Sequence, residues 1–234
     1  DRYMFAKDQT QPEAERLYDY ELGYQYTSER LSLGANLYYM HYKNQLIPTG
    51  MVNDSSDALN TNVPKSYRAG IELMASWKIA RWFTLGANAT FSRNKIIDYV
   101  DMLADSPTFG QNLGNMTIAY SPESMAAAFA EFKVKGFEAI IRTQYVGKQY
   151  FTNNEIETLS LDDYSVTNLD LAYTLPSRAA KSVRLGLCVY NLFNKKYCSN
   201  GYGYSYMWDG ERYDEAYYFP QAPLHILANV TVKF

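Results

Sequence analysis

"YDYELGYQYTSERLSLGANLYYM", residues 18 to 40, holds two runs that alternate with a period of two. In the first, Tyr18, Tyr20, Leu22, Tyr24 and Tyr26 share one face and Asp19, Glu21, Gly23 and Gln25 the other. In the second, Leu31, Leu33, Ala35, Leu37 and Tyr39 oppose Ser32, Gly34, Asn36, Tyr38 and Met40. Successive side chains of a strand leave on opposite faces, so each run predicts a β-strand with one apolar face. Only "TSER" (27–30) separates them, which predicts a tight hairpin.

The same period continues down the chain. "SYRAGIELMASWKI" is followed by "FTLGANATFS", and a less regular segment around 124–134 turns at Lys135-Gly136 into "FEAIIRTQYVGKQY". "SVTNLDLAYTL" pairs with "VRLGLCVYNLF" across "PSRAAKS", and Leu224, Ile226, Ala228, Val230, Val232 and Phe234 form one face of the last strand. This predicts about nine strands, each at or above the roughly 9 to 11 residues that cross a bilayer. Short turns at 27–30, 80–82, 135–136 and 176–182 alternate with long polar connections at 43–63, 97–114, 152–162 and 197–217. Tight turns on one side and elaborate loops on the other are the rhythm of an outer-membrane barrel. A soluble sandwich also alternates, but its strands average about 5 to 6 residues and its turns keep no such rhythm. The polar face carries Gly34, Gly70, Gly86, Asn88, Asn168, Asp170 and Asn229, a poor dry core but a suitable wall for a wet or plugged lumen. The expected fold class is all-β, a transmembrane antiparallel β-barrel.

Composition narrows the function classes. The chain has 234 residues and is 47% hydrophobic, which excludes global disorder. A net charge of -3 gives no electrostatic footprint for nucleic acid, so none is expected as a partner. No run approaches the roughly 20 apolar residues of a membrane helix, and the mean hydropathy is negative. That removes a helical span and leaves strand crossings untouched. Tyr18, Tyr26, Tyr39, Tyr67, Trp77, Phe83, Phe91, Tyr145 and Phe234 fall on lipid-facing parity, where amphipathic rings form interfacial girdles. Cys188 and Cys198 are about 33 Å apart if the segment is extended, so two free thiols are expected unless the chain folds back. Without an initiator Met or leader, Asp1 reads as an internal start, a processed chain or a piece of a longer one.

The final strand "HILANVTVKF" stops on an aromatic, resembling the signal by which outer-membrane barrels are recognised for assembly. "YELGYQY", "NLYYMHYKNQL", "SYRAGIEL", "NATFSRNKI", "YVGKQYFTNN" and "YNLFNKKY…NGYGYSY" together resemble the C-terminal half of TonB-dependent receptors, especially those of the Bacteroidetes type. The resemblance covers most of the chain in order and implies about the last nine strands of a roughly 22-stranded plugged barrel. It places residues 1–234 in the C-terminal portion of that barrel, with plug domain and earlier strands supplied by sequence outside this chain. It implies active uptake of a scarce nutrient such as an iron-siderophore or other chelate. The implied partners are the plug, the remaining strands, the TonB energising complex, the bilayer and lipopolysaccharide, with a surface lipoprotein as an optional lid. Nine strands alone leave two open edges, which lipid does not tolerate.

Candidate site residues follow from where the loops fall. Tyr197, Tyr202, Tyr204, Tyr206, Trp208 and Tyr213 sit on the last long loop, where rigid amphipathic rings suit an adaptable binding surface. The alternative is packing against neighbouring loops or continuation of a hairpin above the membrane. Acidic residues gather on the same side: Asp98, Asp101 and Asp105; Glu155, Glu157, Asp162 and Asp163; Asp209, Glu211, Asp214 and Glu215. They suit a cationic substrate or bridging divalent cations, or are solvated loop residues, since no spacing matches a calcium loop. On lumen parity, Arg68, Glu72, Arg142, Gln144, Asp170 and His225 are candidates for contact with plug or ligand, or simply for hydrogen bonds that satisfy the wall. His41 has lipid-facing parity. No cofactor motif and no metal-ligand spacing stands out. An outer-membrane hydrolase would need a partner for His225 that the sequence does not offer, so no enzyme is expected. A small autonomous barrel, porin or adhesin, needs an even strand count, to which "DRYMF" could add only a strand end.

Overall fold

A computed structural model describes residues 12–52, 58–102, 108–177 and 180–234. Asp105 and "DRYMF" lie outside the described residues. The strands are β1 (Arg16–Thr27), β2 (Leu31–Val52), β3 (Ala58–Ala80), β4 (Phe83–Ile96), β5 (Met116–Thr117), β6 (Ser124–Val134) and β7 (Phe137–Val146). They continue as β8 (Gln149–Tyr150), β9 (Ser160–Leu161), β10 (Tyr164–Leu175), β11 (Ser182–Tyr190), β12 (Cys198–Trp208), β13 (Glu211–Pro220) and β14 (His225–Lys233). One antiparallel sheet runs β1-β2-β3-β4-β6-β7-β10-β11-β14, with β5 on the side of β4. These are the nine long strands that the period of two predicts. The less regular segment at 124–134 is β6, paired with both β4 and β7.

The register confirms the assignment of faces. Tyr20 opposes Tyr39, Leu22 opposes Leu37 and Tyr24 opposes Ala35, while Gly23 meets Asn36 and Gln25 meets Gly34 on the other side. Leu22 is 72% exposed and Tyr24 73%, a face that water would not stabilise and a bilayer would. On the polar face three glycines oppose large side chains: Gly34 faces Met74, Gly70 faces Tyr38 and Gly86 faces Phe129. A Cβ on Gly86 would stand 2.2 Å from the Phe129 ring, so the ring lies over bare backbone. Turn chemistry fits too: Lys135 (φ 47°) and Gly136 (φ 84°) form a two-residue loop with both φ positive.

Two of the connections expected as loops are built from strands. β2 and β3 keep pairing above the wall, with Gln45 opposite Val63 and Ile47 opposite Thr61, so the connection expected at 43–63 is largely ladder. At 22 residues β2 spans about 70 Å, more than twice a hydrocarbon core of about 30 Å, so its end stands clear of the membrane. The segment 197–217 is a second correction: it forms the two-stranded sheet β12-β13, not an irregular loop. The packed core sits at this long-loop end rather than in the wall. Ile47, Val63, Ile96, Tyr99 and Ile118 form one buried cluster, and Phe151, Leu159 and Leu161 form another. Cys188 and Cys198 are both free thiols, as their separation predicts.

Candidate functional site

The β12-β13 hairpin is turned by Asp209 (φ 50°) and Gly210 (φ 77°). An Asp-Gly pair between alternating runs is the standard short-range hairpin signal, and it stands in the sequence at the point where a loop was expected. Asn191 ties the roots of the hairpin together: its Nδ2 donates to the carbonyls of Lys195 and Ala222, and its Oδ1 accepts from Lys195 N.

One face of the hairpin is seated on the loop that carries Phe151 and Leu159. Gly201 and Gly203 make the seat possible, because a Cβ on either would come within 3 Å of Phe151 or Leu159 respectively. Tyr218 Oη donates to Ser160 O, and Thr158 Oγ1 donates to Asp214 Oδ2. The supporting loop is itself pinned. Asn153 accepts from Ala119 N and donates to Pro48 O. Glu155 accepts from Lys95 Nζ at 2.8 Å and from Thr117 N at 2.7 Å. Burial of Glu155 pushes its carboxyl up, but the bonds from Lys95 and Thr117 outweigh this and hold it below the usual glutamate range.

The other face is open to solvent and carries a ladder of rings. Tyr206 lies opposite Tyr213, Tyr204 opposite Glu215, and Tyr202 opposite Tyr217. Tyr202 and Tyr217 stack with centroids 5.0 Å apart, and Tyr206 and Tyr213 at 5.6 Å. Three hydroxyls donate to the single carboxylate in the middle: Tyr204 at 2.9 Å, Tyr206 at 2.8 Å and Tyr217 at 2.7 Å. Hydrogen bonds from Tyr217, Tyr206 and Tyr204 hold Glu215 below the usual glutamate range, and Glu215 in turn raises the Tyr217 phenol.

The structure therefore brings Tyr202, Tyr204, Tyr206 and Tyr213 onto one face. Trp208 stands at the tip, opposite Glu211 and 70% exposed. Tyr197 departs from the group, stacking on Tyr164 at 4.8 Å below the hairpin. The two rings help line a hollow of about 600 Å³ whose rim carries Asp162, Asp163, Lys195 and Lys196. Tyr217 was not singled out from the sequence; only the register, which sets it beside Glu215 and across from Tyr202, reveals its place. Most of the acidic loop residues are engaged within the loops. Glu157 pairs with Lys148, Asp214 with Arg212, and Asp101 accepts from Thr108.

Inside the wall, Glu72, Arg142 and Gln144 line one hollow of about 570 Å³ together with Asn88, Phe129 and Asn168. Arg142 is paired with Asp170, and Asn36 donates to Glu72. Arg68 lies nearer the loops and donates to Ser121 at 3.0 Å. His225 stands apart on β14, stacked on Tyr190 at 4.8 Å with Nδ1 2.9 Å from Pro223 O. His41 stacks on Tyr18 on the lipid-facing side. Among the described residues no His, Cys, Asp and Glu group is arranged to hold a metal ion.

A long-stranded antiparallel wall with an apolar outer face, a polar inner face and a packed rim of loops defines part of an outer-membrane β-barrel. Residues 3–192 match the family described as TonB dependent receptor-like, beta-barrel, and the chain belongs to that family. The pesticin receptors of Yersinia enterocolitica and Yersinia pestis are 23% identical over 189 residues, covering 81% of this chain and 26% of theirs. The ferric yersiniabactin uptake receptor FyuA from Yersinia pestis shares the fold at a TM-score of 0.67 and 19% identity, over 94% of this chain and 30% of that one. The ferric-catecholate import receptor Fiu from K12 E. coli does so at 0.66 and 18%, over 97% and 30%. The chain thus spans about a quarter of the length of the curated relatives.

Proposed function

We propose that this chain is the C-terminal portion of the barrel of a TonB-dependent outer-membrane receptor, of the Bacteroidetes type, that takes up a scarce nutrient such as an iron-siderophore or other chelate. The observation that carries the proposal is the hairpin: one face is locked onto the loop core, and the other presents five tyrosines to solvent above the barrel wall. Rigid rings held in advance capture a ligand at low entropic cost. Below them, the hollow lined by Glu72, Arg142 and Gln144 is a polar surface for a plug or a descending ligand. The names of the relatives, receptors for ferric chelates among them, support the same class of cargo. In this reading the plug, the remaining strands and the segment engaging the TonB energising complex come from the rest of the protein. β1 and β14 each have a partner on one side only among the described residues, which disfavours a porin or adhesin made of these strands alone.

Replacing Tyr204, Tyr206 and Trp208 together by Ala tests it. The expected result is weakened substrate binding and uptake by cells dependent on this receptor, with the heat-modifiable migration of a folded barrel retained. Unchanged affinity in that variant would remove the hairpin from the binding surface.

A further inference from the structure

The outer face of the wall changes character along β1, β2 and β3. Leu22, Leu37 and Ile71 lie in one row across the three strands, and nearer the long-loop end Tyr18, His41 and Tyr67 lie in another. The next row outward on the same face is Arg16, Lys43 and Lys65, directly opposite one another and all exposed. Lys43 Nζ lies over the Tyr18 ring, 5.5 Å from its centroid, which places the cations immediately beyond the rings. Like charges set directly opposite one another in a sheet repel. Elsewhere on this face cations are neutralised, Arg93 by Glu123 and Lys95 by Glu155. Among the described residues Arg16, Lys43 and Lys65 form no salt bridge, so the row is repulsive until an anion from outside these residues sits on it.

We propose that this row binds the phosphate groups of a glycolipid in the outer leaflet, the lipopolysaccharide of an outer membrane. The height is right. From Thr27 at the short turn to Arg16, β1 climbs about 36 Å, or about 28 Å along the membrane normal at a tilt of about 40°, just past an apolar band about 25 Å tall. That is the level of lipid headgroups. Arg16, Lys43 and Lys65 line a hollow of about 510 Å³ together with Asn44 and Pro64. Glu13 lines it too, with its carboxylate accepting from Asn44 Nδ2; three cations against one carboxylate leave the lining a net charge of +2. The Arg16 guanidinium offers forked donors to phosphate oxygens, and the two ammonium groups add point charges beside it. The rings of Tyr18 and Tyr67 and the leucines below continue the same surface downward, so a phosphate that carries acyl chains gains contacts along the wall that a free phosphate lacks. The inference rests on the outer-membrane reading but is independent of the cargo.

The test is native mass spectrometry of the intact outer-membrane protein, delipidated in detergent and titrated with diphosphorylated lipid A. Retention of lipid A is expected, weakened at least tenfold in Arg16→Gln/Lys43→Gln/Lys65→Gln and to the same extent when the lipid is dephosphorylated. Inorganic phosphate at millimolar concentration should not displace it. The control Arg30→Gln/Arg81→Gln/Lys135→Gln, which removes three cations at the short turns, should leave the affinity unchanged. Heat-modifiable migration checks that each barrel is folded, and Lys43→Gln alone, with at least a threefold loss, replaces the triple variant if that one fails to fold. Equal affinity in the row variants, an equal loss in the control, or displacement by free phosphate overturns the site. Uptake is scored separately: lipid A held by this row in a protein without uptake activity would sustain the site and defeat the receptor reading, and uptake without row-dependent lipid A binding would do the reverse.

Discussion

Phe151→Ala should release the tyrosine hairpin from its seat without loosening the barrel wall. Phe151 is 2% exposed, lies under Gly201 and Gly203, and contacts the rings of Tyr120 and Tyr218 with centroids 5.8 Å away in each case. Truncating a buried Phe to Ala costs about 3–5 kcal/mol, part lost transfer energy and part cavity. Here that loss falls on the docking of one ribbon, because the seat is a cluster separate from the wall. At about 1.4 kcal/mol per factor of ten, the undocked population should rise by roughly two to nearly four orders of magnitude. Hydrogen exchange read by mass spectrometry reports this directly. Amides that bond the loop beneath the hairpin, such as Phe151 N to Leu159 O, should exchange faster by that factor, while those of β6, β7 and β10 stay unchanged. A uniform acceleration across the wall would show that the rim and the barrel are one cooperative unit, and an acceleration below about threefold would show that Phe151 does not hold the hairpin.

Two further outcomes follow from the wall and from the pinned loop. Gly86→Ala should destabilise the barrel by about 1–3 kcal/mol through overpacking against Phe129, seen as a lower temperature for the heat-modifiable transition, with recovery when Phe129 is shortened to Leu. Glu155 has its carboxyl held below the usual range, so its bonds stabilise the folded loop above the unfolded-state value and are lost as pH falls through the lower folded-state value. Protease nicking around residues 151–159 should therefore increase in acid below the ordinary glutamate range, and Glu155→Gln should abolish that pH dependence.

The wall was legible because lipid on one side and water on the other impose a period of two that no soluble core would require over so many residues. Hairpin turns at 27–30 and 135–136 were legible for the same reason, each lying between two alternating runs. The rim was not. Polar residues such as Asn44, Asn60 and Asn62 made 43–63 read as a loop, although Asn62 bridges to Asn44 O and Glu13 O within a continuing ladder. Glycines at 201 and 203 leave no trace of their role in the sequence pattern; in the structure they let Phe151 and Leu159 approach the backbone. Tyr204, Tyr206 and Tyr213 could be nominated from composition, and Glu215 among the acidic loop residues; Tyr217, and the placing of Glu215 beneath the rings, required knowledge of which residue faces which. Lumen candidates fared unevenly for a similar reason. Parity alone places Glu72, Arg142 and His225 on one face, and only strand order shows that the first two share a hollow while His225 lies on the last strand.

The burial pattern of the molecule is inverted relative to a soluble protein, with its jigsaw packing in the loops and its exposed apolar residues on the wall. Pro48, Lys95, Ala119 and the hairpin all close on the single segment 151–161. A loop transplanted singly from a relative would leave cavities in its neighbours, whereas lipid-facing positions tolerate any apolar residue of suitable size. If the rim binds cargo as proposed, its specificity belongs to several loops exchanged together as one cassette, and an engineer altering it would have to move the whole cap.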